Sequence, residues 1–192
     1  MNNLLSGQAH AFYFPNFIEQ EESRSLLDRL DKELLWRQES IKIFGKLVPQ
    51  PRLISWQSDL PYKYSGLILD PTPWTSTILE LKEKVEAAAG ELFNSCLINK
   101  YRNGSDYMGW HRDNEKELGP NPVVASLSLG AERVFKFRKK EDKASQVSIS
   151  LKNGSLLVMG GTCQHEWEHG ISKTSRPIEP RINVTFRRIV RT

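Results

Sequence analysis

Residues 99–115, NKYRNGSDYMGWHRDNE, set His111 and Asp113 two positions apart. In an extended backbone successive side chains alternate, so an imidazole and a carboxylate at this spacing share a face and can aim at one point. They are two-thirds of a metal site. A second histidine would complete the 2-His-1-carboxylate face whose open positions suit non-haem Fe(II) that must take up oxygen and a co-substrate. Only His10, His165 and His169 remain to supply it. The triplet alone is weak, since a solvated His–Asp pair has the same spacing.

Two later stretches strengthen it. In RINVTFRR, residues Arg181, Asn183, Thr185 and Arg187 fall on one face of a strand and Ile182, Val184 and Phe186 on the other. A half-buried strand with a polar outer face would read the same way. If the polar face points inward, it can receive an anion, and Arg suits that better than Lys because its planar fork matches a carboxylate. The same alternation sets Asn99 and Tyr101 on one face of a strand leading toward His111. An oxo-acid bound to iron at one end and to Arg at the other would need such groups. The segment QHEWEHGI offers both His165 and His169 as third ligand. His169 is preferred, because Gly170 follows it and twelve residues then lead to Arg181.

These groups must be positioned by a scaffold. Residues 19–35 carry Leu26, Leu30 and Leu34 at helical spacing with acidic residues at the start, where the helix dipole favours them. A second helix is predicted over 76–93, with Ile78, Leu81, Val85 and Leu92 on one side and the Pro-rich DPTPW before it. Between them, 40–69 alternates in short runs broken by Gly and Pro, which suggests hairpins over a core. After residue 95 the chain reads as strands: 96–101, 123–129, 133–138, 147–151, 156–159 and 181–189. Short strands with turn signals between them predict a sandwich or jelly roll with the helices packed outside.

The bulk properties agree with one folded unit. The chain has 192 residues, 39% of them hydrophobic and 26% charged, with five Trp and eight Phe, enough to bury roughly 70% of the surface of its unfolded form. The expectation is a single domain over 1–192, with 1–95 forming helices and a recognition lid and 96–192 the catalytic core. A net charge of +4 with a pI near 9.1 suits a polyanionic partner without establishing one. Basic residues gather at Lys42, Lys46 and Arg52, over 133–143, and at Arg187, Arg188 and Arg191. Cys96 and Cys163 read as buried thiols of no assigned function. No apolar run could span a bilayer and no secretory pattern opens the chain, so the expected compartment is the cytoplasm, or the nucleus in a eukaryote.

With HRDNE, the strand VVASLSLG, GSLLVM, HG and RINVTFR in this order, the sequence resembles the AlkB family of 2-oxoglutarate- and Fe(II)-dependent dioxygenases. Upstream, IFGK, Pro51–Arg52, YKYSGLIL and PTPW resemble its DNA-repair subgroup. The resemblance implies an α+β, mainly β fold, a double-stranded β-helix or jelly roll with supporting N-terminal helices. It implies that His111, Asp113 and His169 hold Fe(II), with O2 as co-substrate. Asn99, Tyr101, Arg181, Asn183, Thr185 and Arg187 would line the 2-oxoglutarate site, with Arg181 or Arg187 meeting the distal carboxylate. Substrate contacts would come from Tyr62, Tyr64 and Ser65 over the base and from Arg112, Asn114 and Glu115 beside the iron. Asn114 departs from the Asp common in the subgroup. Phe44, between Gly45 with Lys46 and Lys42, matches a wedge that fills the gap left by a flipped base, though a core role fits its apolar character equally. Arg52 completes the set. The implied activity is oxidative dealkylation of bases such as 1-methyladenine and 3-methylcytosine in DNA, with RNA as the alternative, by an expected monomer. The same fold acting on another substrate, or a non-catalytic nucleic-acid-binding module, are the competing readings.

Overall fold

Period-two alternation of apolar and polar residues dominates the second half of the chain, and in the structure, a computed structural model, it produces two antiparallel sheets. Residues 2–43, 46–64 and 67–190 are described. The major sheet has the order β1 (Ala9–Phe14), β12 (Ser155–Gly161), β9 (Val124–Gly130), β14 (Arg181–Arg187), β7 (Ser95–Tyr101) and β4 (Leu53–Ser58). The minor sheet runs β11 (Gln146–Leu151), β10 (Arg133–Lys139), β13 (Trp167–Ile171) and β8 (Met108–His111). Two hairpins stand apart from these, β2 (Ser40–Ile43) with β3 (Lys46–Pro49), and β5 (Tyr62–Tyr64) with β6 (Leu67–Leu69). The result is the expected jelly roll, mainly β with three α-helices among the described residues.

Each face of the major sheet has its own partner. On one face Cys96, Ile98, Leu127, Leu129, Ile182, Val184 and Phe186 pack under helices α1 (Gln20–Glu33) and α2 (Ser76–Ala89). The other face meets the minor sheet, where Ala11, Val124, Leu157 and Met159 pack against Phe135, Phe137, Leu151 and Trp167. The alternating residues left between the two sheets include the polar set of β14 and β7. They lie in the interior because the helices occupy the opposite face.

The helices end where local chemistry stops them. In α1, Leu26 and Leu30 are buried, Glu21 and Glu22 sit in the first turn and Lys32 in the last, as the helix dipole favours. Helix α2 starts at the N-cap Thr75, whose hydroxyl accepts a hydrogen bond from the Ile78 amide at 3.4 Å, and stops at Gly90 with φ 66°. That left-handed glycine ends the helix before the predicted 93. Leu92, expected on its apolar side, is consequently 69% exposed, and Phe93 takes the core position. Strands β1, β8 and β13 are not among the predicted elements; β4, predicted as part of a hairpin region, instead joins the major sheet beside β7. Cys96 and Cys163 are buried and unbonded.

Candidate active site

β8 and β13 bring the two histidines together. His169 pairs with His111 across the strands, and the rings lie edge to face with centroids 4.3 Å apart. Strand β13 alternates Trp167, His169 and Ile171 toward the interior, and Phe135 of β10 stacks on the His169 ring at 5.3 Å. His111 Nδ1 bonds the Gly109 carbonyl at 2.9 Å, which leaves Nε2 to face the cavity. Asp113, two residues beyond the strand end, is buried. Its backbone amide donates to the Gln164 side chain at 3.0 Å. One donor atom from each of His111, Asp113 and His169 lies within 4.8 Å of the others, and His169 Nε2 is 3.5 Å from Asp113 Oδ2. Cis donors around an octahedral cation with bonds of about 2.1 Å sit about 3 Å apart, so the cluster fits a metal ion.

The electrostatics prepare the donors. Burial, reinforced by the neighbouring His169, pushes the His111 imidazole down to about 3, so its lone pair is free at neutral pH. Burial alone would raise the Asp113 carboxyl; Arg187, whose Nη2 donates to Oδ1 at 2.8 Å, and His169 outweigh it and hold the carboxyl well below its usual range. The cluster therefore offers a neutral His111 imidazole and an oriented Asp113 carboxylate, donors that a divalent cation requires, with the His169 ring beside them.

Arg181, 1% exposed, lies outside the lining of this cavity, behind Tyr101, which does line it. Its Nη2 donates to Ser128 Oγ at 2.9 Å and its guanidinium lies over the Tyr101 ring at 5.1 Å. Its Nε and Nη1 are buried without a hydrogen-bond partner. Burial pushes this guanidinium down to about 10, with Tyr101 opposing, so it is still cationic at neutral pH. A buried fork with two unanswered donors has the shape and charge to hold a carboxylate. Between the cluster and Arg181, Asn183 Nδ2 donates to Ser126 Oγ at 2.8 Å, Thr185 Oγ1 donates to Asn183 Oδ1 at 3.1 Å, and Arg52 Nε donates to Asn99 Oδ1 at 2.8 Å. Asn99, Tyr101, Asn183, Thr185 and Arg187 line one cavity with the triad. The open space is about 30 Å³, room for a water or two. Met108 and Met159 wall it, and flexible thioethers are the side chains best able to yield to a larger occupant. A wider cleft of about 540 Å³ lies beside α1 at Leu27 and Ile182. Arg24, Asp28, Asp31, Lys100 and Glu179 line it, but among the described residues the metal-ligand cluster lies at the smaller cavity, so chemistry and not size selects that one.

The remaining sequence candidates fall in different places. Arg112 is half-buried, its Nη1 3.4 Å from the His165 carbonyl; Asn114 is exposed and Glu115 half-buried. His165 sits in the short helix α3 (Cys163–Glu166) and is exposed, outside the cluster. Arg52 is buried beside Asn99 rather than on the surface. Lys46 is exposed on β3, and Tyr62 and Tyr64 lie on β5. Phe44, Gly45 and Ser65 lie outside the described residues. Sequence reasoning missed Met108, Ser126, Phe135, Met159 and Ile171, which complete the lining, and Gln164 behind Asp113. Ser126 and Ser128 could have been found, since they alternate with Leu127 and Leu129 in the same way that Arg181 and Asn183 alternate with Ile182 and Val184.

Comparison with known proteins agrees with this geometry. Residues 10–187 match the model of the 2OG-Fe(II) oxygenase superfamily. The chain is 40% identical over 184 residues to bovine alpha-ketoglutarate-dependent dioxygenase alkB homolog 3, covering 91% of this chain and 64% of that protein. For the human alkB homolog 3 the identity is 37%, covering 96% and 68%. Human DNA oxidative demethylase ALKBH2 is 34% identical, with 89% and 70% covered. The chain thus spans about two-thirds of the length of these relatives. The solved structure of OsALKBH1 superposes with a TM-score of 0.64 at 16% identity, covering 93% of this chain and 97% of that one, a likeness of fold. Because the family model covers residues 10–187 and relatives 34–40% identical match most of the chain, the chain belongs to the 2OG-Fe(II) oxygenase superfamily, among the AlkB homologues.

Proposed function

We propose that the protein removes alkyl groups oxidatively from N-alkylated bases such as 1-methyladenine and 3-methylcytosine in nucleic acid, DNA foremost. The observation that carries this reading is the pairing of two groups. A metal-binding triad lines the cavity, and Arg181, with two unanswered buried donors, lies behind Tyr101 in its wall. A keto-diacid spanning from a metal to a guanidinium answers both. The names of the relatives, DNA oxidative demethylase among them, supply the substrate class.

His111, Asp113 and His169 would hold Fe(II), and Arg181 with Tyr101 would receive the distal carboxylate of 2-oxoglutarate. The bound metal and keto acid supply the oxidation of an alkyl C–H bond with O2. The chain's own residues do the rest. Arg187 keeps the Asp113 carboxylate ionised and oriented. Phe135 fixes the His169 ring plane. Met108, Phe135, Met159 and Ile171 exclude water from the reacting centre. An alkyl group on the pairing edge is out of reach inside a stacked duplex, so the base must be extruded, which costs least for a lesion that cannot pair. Arg112, Asn114 and Glu115, which follow directly on the metal ligands, would meet that base. The hairpins carrying Lys46, Tyr62 and Tyr64 would hold the strand.

The test is succinate release with Fe(II) and 2-oxoglutarate on methylated single-stranded, methylated duplex and unmethylated oligonucleotides. Turnover that depends on the methyl group, and that disappears in Asp113→Asn, is expected. Absence of methyl-dependent 2-oxoglutarate consumption on both DNA and RNA overturns the reading.

A further inference from the structure

β8 carries one residue more than its partner. His169 pairs with His111 and Ile171 with Met108, so the step between pairs is three positions on β8 and two on β13. Such a bulge re-aims side chains. Met108 and His111 both border the metal-ligand cavity. Tyr107, Gly109 and Trp110 do not, and with Gly170 and Ser172 they line a separate cleft of about 200 Å³ behind the Met108 and Ile171 wall.

Gly109 is the informative residue in this cleft. Its φ lies outside the left-handed range, and a Cβ built on it would meet nothing within 4 Å. Gly170 is different, since its Cβ would fall 2.9 Å from the Met108 carbonyl oxygen. Neither backbone conformation nor packing within the described residues calls for glycine at 109. A strand glycine with open space above it marks a place where something from outside approaches the backbone.

The walls indicate what approaches. Lys173 Nζ lies 4.7 Å from the Tyr107 ring centre and the Arg138 guanidinium 4.3 Å from that of Trp110. Glu168 holds Arg138 in place, accepting from its Nε at 2.7 Å. Tyr107 and Trp110 line the cleft and neither cation does. Two aromatic residues beside an open glycine, with a cation against each ring, are the components of surfaces that bind single-stranded nucleic acid. Bases stack on the rings and the charges attract the backbone.

We propose that this cleft takes an unpaired base flanking the target nucleotide, so that the substrate strand wraps around β8 from the cleft to the metal cavity. Trp110 directly precedes His111, which sets the cleft one residue from the triad. The proposal rests on the nucleic-acid reading above. It predicts that binding improves once an oligonucleotide extends past the target base.

The test compares dissociation constants for a methylated mononucleotide and a methylated single-stranded 12-mer in the Mn(II)- and 2-oxoglutarate-loaded protein, for wild type, Gly109→Val and Tyr107→Ala. The valine fills the cleft from an open position; the alanine removes one ring. The wild-type advantage of the 12-mer over the mononucleotide should fall about tenfold in each variant, the order of one lost stacked base. Because the Gly109 carbonyl bonds His111, Mn(II) affinity is measured in parallel, and Tyr107→Ala decides if that affinity moves. A wild type that acts on methylated oligonucleotides while Tyr107→Ala keeps the full length advantage sinks the cleft alone. A wild type indifferent to methylation on every oligonucleotide sinks the nucleic-acid reading instead. Preference of the cleft for an added peptide strand along the β8 edge, competing with no oligonucleotide, also refutes the proposal.

Discussion

Replacing Arg181 with methionine separates a receptor from a structural arginine by the sign of two measurements. Burial lowers this guanidinium from an ordinary value of 12.5 to about 10. At 1.36 kcal/mol per unit, the folded protein bears a penalty of about 3 kcal/mol for holding the charge. A base whose folded pKa is depressed carries that penalty in full below the folded value. It is relieved only as pH rises from about 10 toward 12.5, where the unfolded chain still holds the proton. Methionine removes the charge but leaves Ser128 Oγ without its partner, which costs about 1 kcal/mol. The ligand-free variant should therefore be more stable than wild type by about 2 kcal/mol, a rise in Tm of about 4–8 °C for a domain of this size. With ligand the order reverses. Two charge-assisted hydrogen bonds from Nε and Nη1, about 1.5–3 kcal/mol each, are lost, so 2-oxoglutarate affinity should fall on the order of 10²–10⁴-fold. Thermal melts in Mn(II), with and without 2-oxoglutarate at about 100 times its wild-type Kd, read both effects. Wild type should gain about 2.7 kcal/mol from the ligand and the variant almost nothing. A variant that melts lower than wild type without ligand, or that is still stabilised by 2-oxoglutarate, refutes the assignment of Arg181.

Three further outcomes follow from the same geometry. Asp113→Asn keeps the shape but removes the charge that faces His169 and Arg187, and should weaken Mn(II) binding by about 100-fold or more in calorimetry; unchanged affinity would take Asp113 out of the metal set. Gly170→Ala places a methyl 2.9 Å from the Met108 carbonyl oxygen and 3.0 Å from that of Gly109. It should spread β13 from β8, parting His169 from His111 and lowering metal affinity about 10–100-fold, and an alanine variant with native affinity would show that the strands can yield there. Acidification of the metal-free protein should lower its Tm between pH 6.5 and about 3, because His111 is held neutral in the fold and takes its proton sooner in the unfolded chain. Bound Mn(II) should raise the starting Tm, and His111→Gln should flatten the acid limb; an equally steep limb in that variant would assign the titration elsewhere.

Where the sequence speaks locally, it speaks clearly. RINVTFR alternates so regularly that both faces of β14 could be assigned: Ile182, Val184 and Phe186 lie under the helices, Asn183, Thr185 and Arg187 line the cavity, and Arg181 shares their face, over the Tyr101 ring. What alternation cannot give is which face is the interior one. That is decided by α1 and α2, distant in sequence, covering the apolar side. The third metal ligand shows the same limit. His165 and His169 are four apart, and the deciding facts are that α3 ends at Glu166 and that β13 then runs Trp167, His169, Ile171 with one facing. An apolar-flanked histidine in W-E-H-G-I is legible as an inward strand position once the strand start is known.

The bulge in β8 was not legible, and it is the feature on which both sides of the site depend. Strict period two over Met108–His111 would send Met108 and His111 to opposite faces. The extra residue turns both inward and leaves Gly109 and Trp110 together outside. Register is a property of two strands, and the partner that forces this one, β13, lies nearly sixty residues downstream, held close by a glycine at 170 that admits no side chain. A single backbone irregularity thus does two things at once: it aims His111 at the metal position and it clears a groove on the far side of the same strand. If the groove binds the substrate strand, then strand binding and metal geometry act through one short segment, and a change that straightens β8 must disturb both together.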